Sequence, residues 1–158
     1  MKILSWKNYA LGILLVEAVG GLASWLTKAG RAVYKQTVIK PPLAPPDLLF
    51  PIVWSVLYAL MGIGAVRIWS ADASPARTWG LIIFAIQLTL NFLWNFVFFQ
   101  FQAFGLAFIW LLLLLLFIIL MIYFFSKVDL TAAKLQIPYL LWVGFATYLT
   151  GMVWYLNI

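Results

Sequence analysis

The sequence predicts an all-α integral membrane protein, a five-transmembrane-helix bundle with a long proline-containing loop between helices 1 and 2. Three observations predict it. Of its 158 residues, 66% are hydrophobic and 9% are charged, whereas soluble domains carry about 25% charge. The apolar residues fall into five runs of about 20 residues, the length that crosses the hydrocarbon core as a helix. Such runs are too long for barrel strands, so helices must satisfy the backbone in lipid.

The five helices are expected in one domain, residues 1–158, because no polar linker interrupts the chain. The first apolar run lacks a small-residue cleavage site and is treated as a retained helix rather than a signal peptide. Turn and cap residues separate the later runs, notably Pro75, Gly105 and Asp129. The predicted helices span residues 6–26, 49–69, 77–101, 104–125 and 131–155.

The longest connection, residues 28–48, is expected to form a stiffened lid rather than a helix. It contains the string KPPLAPPD at 40–47, and each proline fixes its own φ and pushes the preceding residue toward an extended conformation. A long loop in a compact domain is usually functional or disordered. The alternative is that these prolines serve only to start the second helix.

The net charge of +6 comes from ten basic residues against four acidic ones. The basic residues are scattered over short connections, where anionic lipid headgroups attract each by about 1 kcal/mol. We therefore expect the lipid bilayer as a partner, and no nucleic acid. Six basic residues lie on the side of the N-terminus and four on the other side, a small excess that favours a cytoplasmic N-terminus and an external proline loop.

Cysteine and histidine are absent from the chain. This excludes disulfides, a thiol nucleophile, the common metal sites, and triads of the Ser-His-Asp or Cys-His kind. We expect no metal site and no required cofactor.

Polar residues form one stripe on the third predicted helix, where Gln87, Asn91 and Asn95 recur every four residues beside Trp94. Polar groups in a membrane span are costly and usually face the bundle interior. The stripe is expected to point inward, where it either lines a pocket or joins helices by hydrogen bonds worth about 0.6 to 2 kcal/mol.

Aromatic residues deep in the spans are the candidates to line a pocket for a flat hydrophobic ligand. Trp54 and Tyr58 are one turn apart, and Trp142, Ala146 and Leu149 share a face in which the alanine leaves a notch. The tryptophans near the helix ends are expected only to anchor the interfaces; they are Trp6, Trp25, Trp69, Trp79 and Trp154.

Glu17 is the single acidic residue within the first helix. An intramembrane carboxylate often marks a proton or cation pathway, which gives the hypothesis of a small-molecule transporter. The alternatives are a protonated side chain or pairing with a basic loop residue.

Close helix contacts are permitted by two pairs of small residues, Gly20 with Gly21 and Ala76 with Gly80. These contacts could form either in a dimer or within one chain.

Four motifs carry a resemblance to a known family: KPPLAPP at 40–46, PIVWSVLYALMG at 51–62, QLTLNFLWNFVFF at 87–99 and PYLLWVGFATYL at 138–149. With these in order over nearly its whole length, the chain resembles a bacterial member of the TspO/MBR family, the tryptophan-rich sensory and translocator proteins. The resemblance implies a protein of the bacterial cell membrane.

The resemblance also implies a receptor or sensor, often a homodimer, that binds porphyrins such as protoporphyrin IX and synthetic isoquinoline carboxamides or benzodiazepines. Cholesterol binding is described for animal members. The pocket lining carried over by motif position is Phe50, Trp54, Asn91, Trp94, Leu106, Trp142, Ala146 and Leu149.

Some relatives are described as degrading protoporphyrin IX photo-oxidatively. This implies an alternative function, a light-dependent porphyrin-degrading enzyme with Trp54 and Trp142 as its catalytic candidates.

The chain departs from the family in two places. Leu43 stands where the loop usually has tryptophan, and no Lys or Arg follows Tyr148, so cholesterol recognition through the animal C-terminal motif is not expected.

Overall fold

The computed structural model describes residues 4–158 and confirms an all-helical fold with five helices long and apolar enough to cross a membrane. The part of the chain so described contains no strand. The elements are α1 (Trp6–Leu26), α2 (Lys28–Thr37), α3 (Leu49–Trp69), α4 (Pro75–Asn95) with a π-helical turn (Phe96–Gln100), α5 (Phe104–Ser126), α6 (Leu130–Lys134) and α7 (Ile137–Leu156).

The predicted bounds of α1 and α3 are those of the structure, α5 is one residue longer than predicted, and the other two helices differ more. Helix α4 begins two residues earlier than predicted, because the Ser74 side chain accepts a 3.1 Å hydrogen bond from the Arg77 N–H and proline suits the first helical position. The last predicted helix is interrupted between α6 and α7. Pro138 has no N–H to bond the carbonyl of Lys134, and its ring crowds that turn.

The expectation of a loop without helix over residues 28–48 is wrong in its first half, which forms α2. The prolines begin only at Pro41, and the preceding segment places Gly30 and Tyr34 one turn apart on one face. That face packs on the π-helical turn, with the Tyr34 ring centre 5.2 Å from that of Phe98. Burial there raises the pKa of Tyr34 to about 12. Residues 38–48, which hold the prolines, are not helical, as expected.

The proline loop, residues 38–48, is tied to the rest of the chain at two points. The Asn157 side chain accepts from the Ile39 N–H at 2.9 Å and donates to the Ile39 carbonyl at 3.0 Å. Asp47 accepts a hydrogen bond from Lys40 at 3.1 Å and pairs with Lys35 at 3.5 Å. These contacts hold the loop at the membrane end where α3 starts.

Helix α5 is the central element of the core, between α4 and α7. It is apolar all round, as a helix buried by protein on one side and lipid on the other should be. Its inner stripe consists of Leu111, Leu114, Ile118, Met121 and Phe125, each at most 2% exposed. Helix α1 packs on α3 at the other side of the bundle.

Candidate ligand-binding site

A buried hydrogen-bonded network joins three helices in the middle of the bundle. Asn91 of α4 accepts from the Tyr58 hydroxyl of α3 at 2.9 Å and donates through Nδ2 to the Tyr139 oxygen of α7 at 3.0 Å. The Tyr139 hydroxyl donates to Gln87 Oε1 at 2.7 Å. We call these four residues the polar network. All four are buried, so the predicted inward direction of the stripe at Gln87 and Asn91 is confirmed.

The third residue of the predicted stripe behaves differently. Asn95 is half-buried, and its Nδ2 donates to the carbonyls of Asn91 and Phe92 in its own helix. Gln87 and Asn91 join helices by hydrogen bonds, one of the two roles expected for them.

Sequence reasoning missed Tyr139, the fully buried residue at the centre of the polar network. A signal was available. Its phenol lies within an apolar helix, where a hydroxyl requires a partner, and it is three residues before Trp142, close to the same helix face.

A layer of aromatic rings lies against the polar network. Trp54 stacks on Tyr58 with ring centres 5.4 Å apart and meets Tyr139 edge-on at 6.2 Å. Phe50 meets Trp142 edge-on at 5.8 Å. The structure therefore brings together Phe50, Trp54, Tyr58 and Trp142, which the sequence placed on two separate helices.

The remaining predicted lining residues have different surroundings. Trp94 stacks on Phe98 at 4.9 Å and connects the central core to the cluster around the π-helical turn. Ala146 packs against the central core and Leu149 is buried. Leu106, near the start of α5, is 53% exposed and does not join the buried cluster.

Two indole N–H groups in this region lack an acceptor. Trp94 Nε1 and Trp142 Nε1 are both buried, and neither has a hydrogen-bond partner among residues 4–158. A buried donor without a partner costs about 1 to 3 kcal/mol. A ligand that brought acceptor atoms to these groups would recover that free energy.

An open groove of about 480 Å³ lies on the outer surface between α3 and α7. Its walls are Ile52, Val53, Val56 and Leu57 of α3, and Pro138, Leu141, Trp142 and Phe145 of α7. Trp142 belongs to both the groove and the aromatic layer. A molecule dissolved in the bilayer can reach the aromatic layer along this apolar surface.

Glu17 of α1 is half-buried. Among the residues that the structure describes, it has no ion pair, so the proposed pairing with a basic loop residue is not formed.

Gly20, one turn further on, lies against the Tyr58 ring, where a Cβ would clash. Gly80 packs on the Phe125 ring, where a Cβ would make a tight contact at 3.2 Å. Packing within one chain accounts for both glycines.

Comparison with known proteins decides the family. The sequence model of the TspO/MBR family matches residues 12–156. The chain belongs to the TspO/MBR family. It is 38% identical over 154 residues to the tryptophan-rich protein TspO of Chlorobaculum tepidum, which covers 94% of each chain. It is 32% identical over 148 residues to the translocator protein of Sus scrofa, covering 92% of this chain and 88% of that one.

A third relative is named as a sensory protein. The tryptophan-rich sensory protein of Cereibacter sphaeroides is 30% identical over 140 residues, covering 89% of this chain and 87% of its own. TspO-family membership and the five apolar helices together make this chain an integral membrane protein.

Proposed function

We propose that this chain is a membrane receptor or sensor that binds a porphyrin, such as protoporphyrin IX, within the aromatic layer and polar network. The single observation that carries the proposal is the pair of buried, unpartnered indole N–H groups on Trp94 and Trp142. Trp94 stacks on Phe98, and Trp142 meets Phe50 edge-on, so each indole lies among aromatic rings that a flat conjugated ligand could also contact.

The chemistry of a porphyrin matches these groups. Its faces stack on indole and phenyl rings, while its carboxylates offer acceptors to indole N–H donors. The groove volume of about 480 Å³ lies in the range of about 300 to 1,000 Å³ that small-molecule sites occupy. The ligand would insert from this groove as Trp142 turns away from Phe50.

Titration of the purified protein with protoporphyrin IX tests the proposal. Trp142→Phe keeps an aromatic ring and removes the N–H, so we expect affinity to fall at least fivefold, the equivalent of about 1 kcal/mol for one hydrogen bond. Trp79→Phe is the matched control, because Trp79 is 54% exposed on α4. Equal affinity in wild type and Trp142→Phe would contradict the proposed site.

A light-dependent porphyrin-degrading activity is the second candidate function. It is favoured by the position of Trp142, which lines the groove and contacts Phe50 in the aromatic layer. An oxidisable indole would then touch the bound photosensitiser. Under illumination in air, where dioxygen is the oxidant, wild-type protein should yield a new pigment faster than free protoporphyrin IX does, and a Trp54→Phe/Trp142→Phe variant that still binds should not. Equal rates with and without protein would exclude this activity.

A further inference from the structure

Two cations at the junction of α1 and α2 point back toward the membrane. Arg31 Nη1 donates a 2.6 Å hydrogen bond to Ser24 Oγ, seven residues earlier in the chain. Lys28 Nζ lies 5.6 Å from the centre of the Trp25 ring. The Arg31 side chain therefore folds back across the α1–α2 junction onto the last turn of α1. Both charges therefore lie at the last turn of the α1 span.

Among the described residues, these two cations have no anionic partner, unlike the three basic residues that form ion pairs. Arg67 pairs with Asp129, and Lys35 and Lys40 both pair with Asp47. Within the range 4–158, no carboxylate lies at ion-pair distance from Lys28 or Arg31. Burial also lowers the pKa of the Arg31 guanidinium, so this cation has lost part of its hydration without gaining a counter-charge.

The surroundings of the two cations are those of a headgroup boundary. Trp25 is 62% exposed at the end of α1, and an indole at a span end lies at the level of lipid headgroups. Lys28 and Arg31 are three residues apart on one helix face, which makes them neighbours. Together with Ser24 they form the α1–α2 corner, in which donors, two positive charges and an apolar ring converge.

We propose that the α1–α2 corner binds the phosphate group of an anionic phospholipid. The free N–H groups of Arg31 match phosphate oxygens in a forked geometry, and Lys28 adds a point charge. Trp25 would contact the glycerol and upper acyl chain of the same lipid. This site lies on α1 and α2, apart from the α3, α4 and α7 residues proposed to bind porphyrin, so the two proposals stand independently.

Native mass spectrometry of the full chain in detergent micelles tests the site with phosphatidylglycerol and with phosphatidylcholine of the same acyl chains. One basic residue contributes about fivefold to the affinity for an anionic surface. A Lys28→Gln/Arg31→Gln variant should therefore bind phosphatidylglycerol about 30-fold more weakly, and phosphatidylcholine unchanged. The control, Lys7→Gln/Lys134→Gln, removes the same charge from exposed positions and should stay within twofold of wild type.

Three results would overturn the proposal. They are retained phosphatidylglycerol preference in the corner variant, an equal loss in the control variant, and displacement of the lipid by an equimolar amount of inorganic phosphate. The second would indicate diffuse attraction by net charge, and the third a site for free phosphate. Thermal unfolding of both variants in micelles reports independently on whether the bundle remains folded.

Discussion

The Tyr58 hydroxyl donates a 2.9 Å hydrogen bond to the side-chain oxygen of Asn91 and so links α3 to α4 in the bundle interior. The same amide donates to Tyr139 on α7. Since the hydrocarbon region offers no water, these groups depend on one another. Asn91 thus holds three helices together and is also a predicted ligand contact. Binding that engages Asn91 must exchange at least one of these hydrogen bonds for a ligand contact.

Replacing Asn91 with alanine should destabilise the bundle. Asn91→Ala removes the acceptor of the buried Tyr58 hydroxyl, which costs about 1 to 3 kcal/mol. It also removes the donor to Tyr139, whose hydroxyl keeps its bond to Gln87. Asn95→Ala is the control one turn away, because Asn95 bonds only carbonyls of its own helix and should cost under about 0.5 kcal/mol. Thermal unfolding in micelles measures both. Equal melting temperatures for the two variants would contradict the role of the polar network.

Two adjacent glycines of α1 should respond differently to the same change. A Cβ at Gly20 would overlap the Tyr58 ring, whereas one at Gly21 would meet nothing within 4 Å. Gly20→Ala should cost about 1 to 3 kcal/mol of stability through overpacking, and Gly21→Ala should be neutral or slightly stabilising. Chemical denaturation of the two variants gives the comparison. A neutral Gly20→Ala would mean that α1 does not pack on Tyr58 as described.

The features that the sequence predicted correctly are helix bounds and side-chain directions that depend on local residue chemistry. The bounds of α1 and α3 follow from their apolar runs, and the inward direction of Gln87 and Asn91 follows from the cost of amides in lipid. The prediction was wrong at α2, because the basic residues and the prolines that follow them led us to expect a loop. It also missed the groove, because the space between α3 and α7 depends on how whole helices pack. No local signal places Leu106 outside the buried cluster.

Asp129 should matter more for stability than any exposed carboxylate. Its Oδ1 accepts from the Thr131 and Ala132 N–H groups and caps α6, while its Oδ2 accepts from Arg67 Nε at 2.8 Å. Asp129→Ala removes the cap and leaves a partly buried guanidinium unpaired, which should cost about 2 to 4 kcal/mol. Asp47→Ala is the control, because its side chain is 50% exposed and exposed pairs contribute little. Equal melting temperatures for the two variants would contradict the greater role of Asp129 in stability.

The proline loop should loosen in acid. The hydrogen bond from Lys40 holds the pKa of Asp47 below its ordinary value. A carboxylate with a depressed folded pKa stabilises the fold above its unfolded pKa of about 3.9, and this contribution is lost as pH falls through the folded pKa. A spin label on Ala44→Cys, in a chain with no native cysteine, should gain mobility below about pH 4. With Asp47→Asn added, the label should be mobile at every pH, and an unchanged acid step in that variant would exclude Asp47 as its cause.

The most direct test of the ligand site is the indole N–H spectrum of the ¹⁵N-tryptophan-labelled protein, assigned with single Trp→Phe variants. On saturation with protoporphyrin IX, the Trp94 and Trp142 N–H resonances should shift downfield as they gain acceptors, while those of exposed Trp69 and Trp79 stay in place. Saturable porphyrin binding that leaves both Trp94 and Trp142 resonances unmoved would contradict the account.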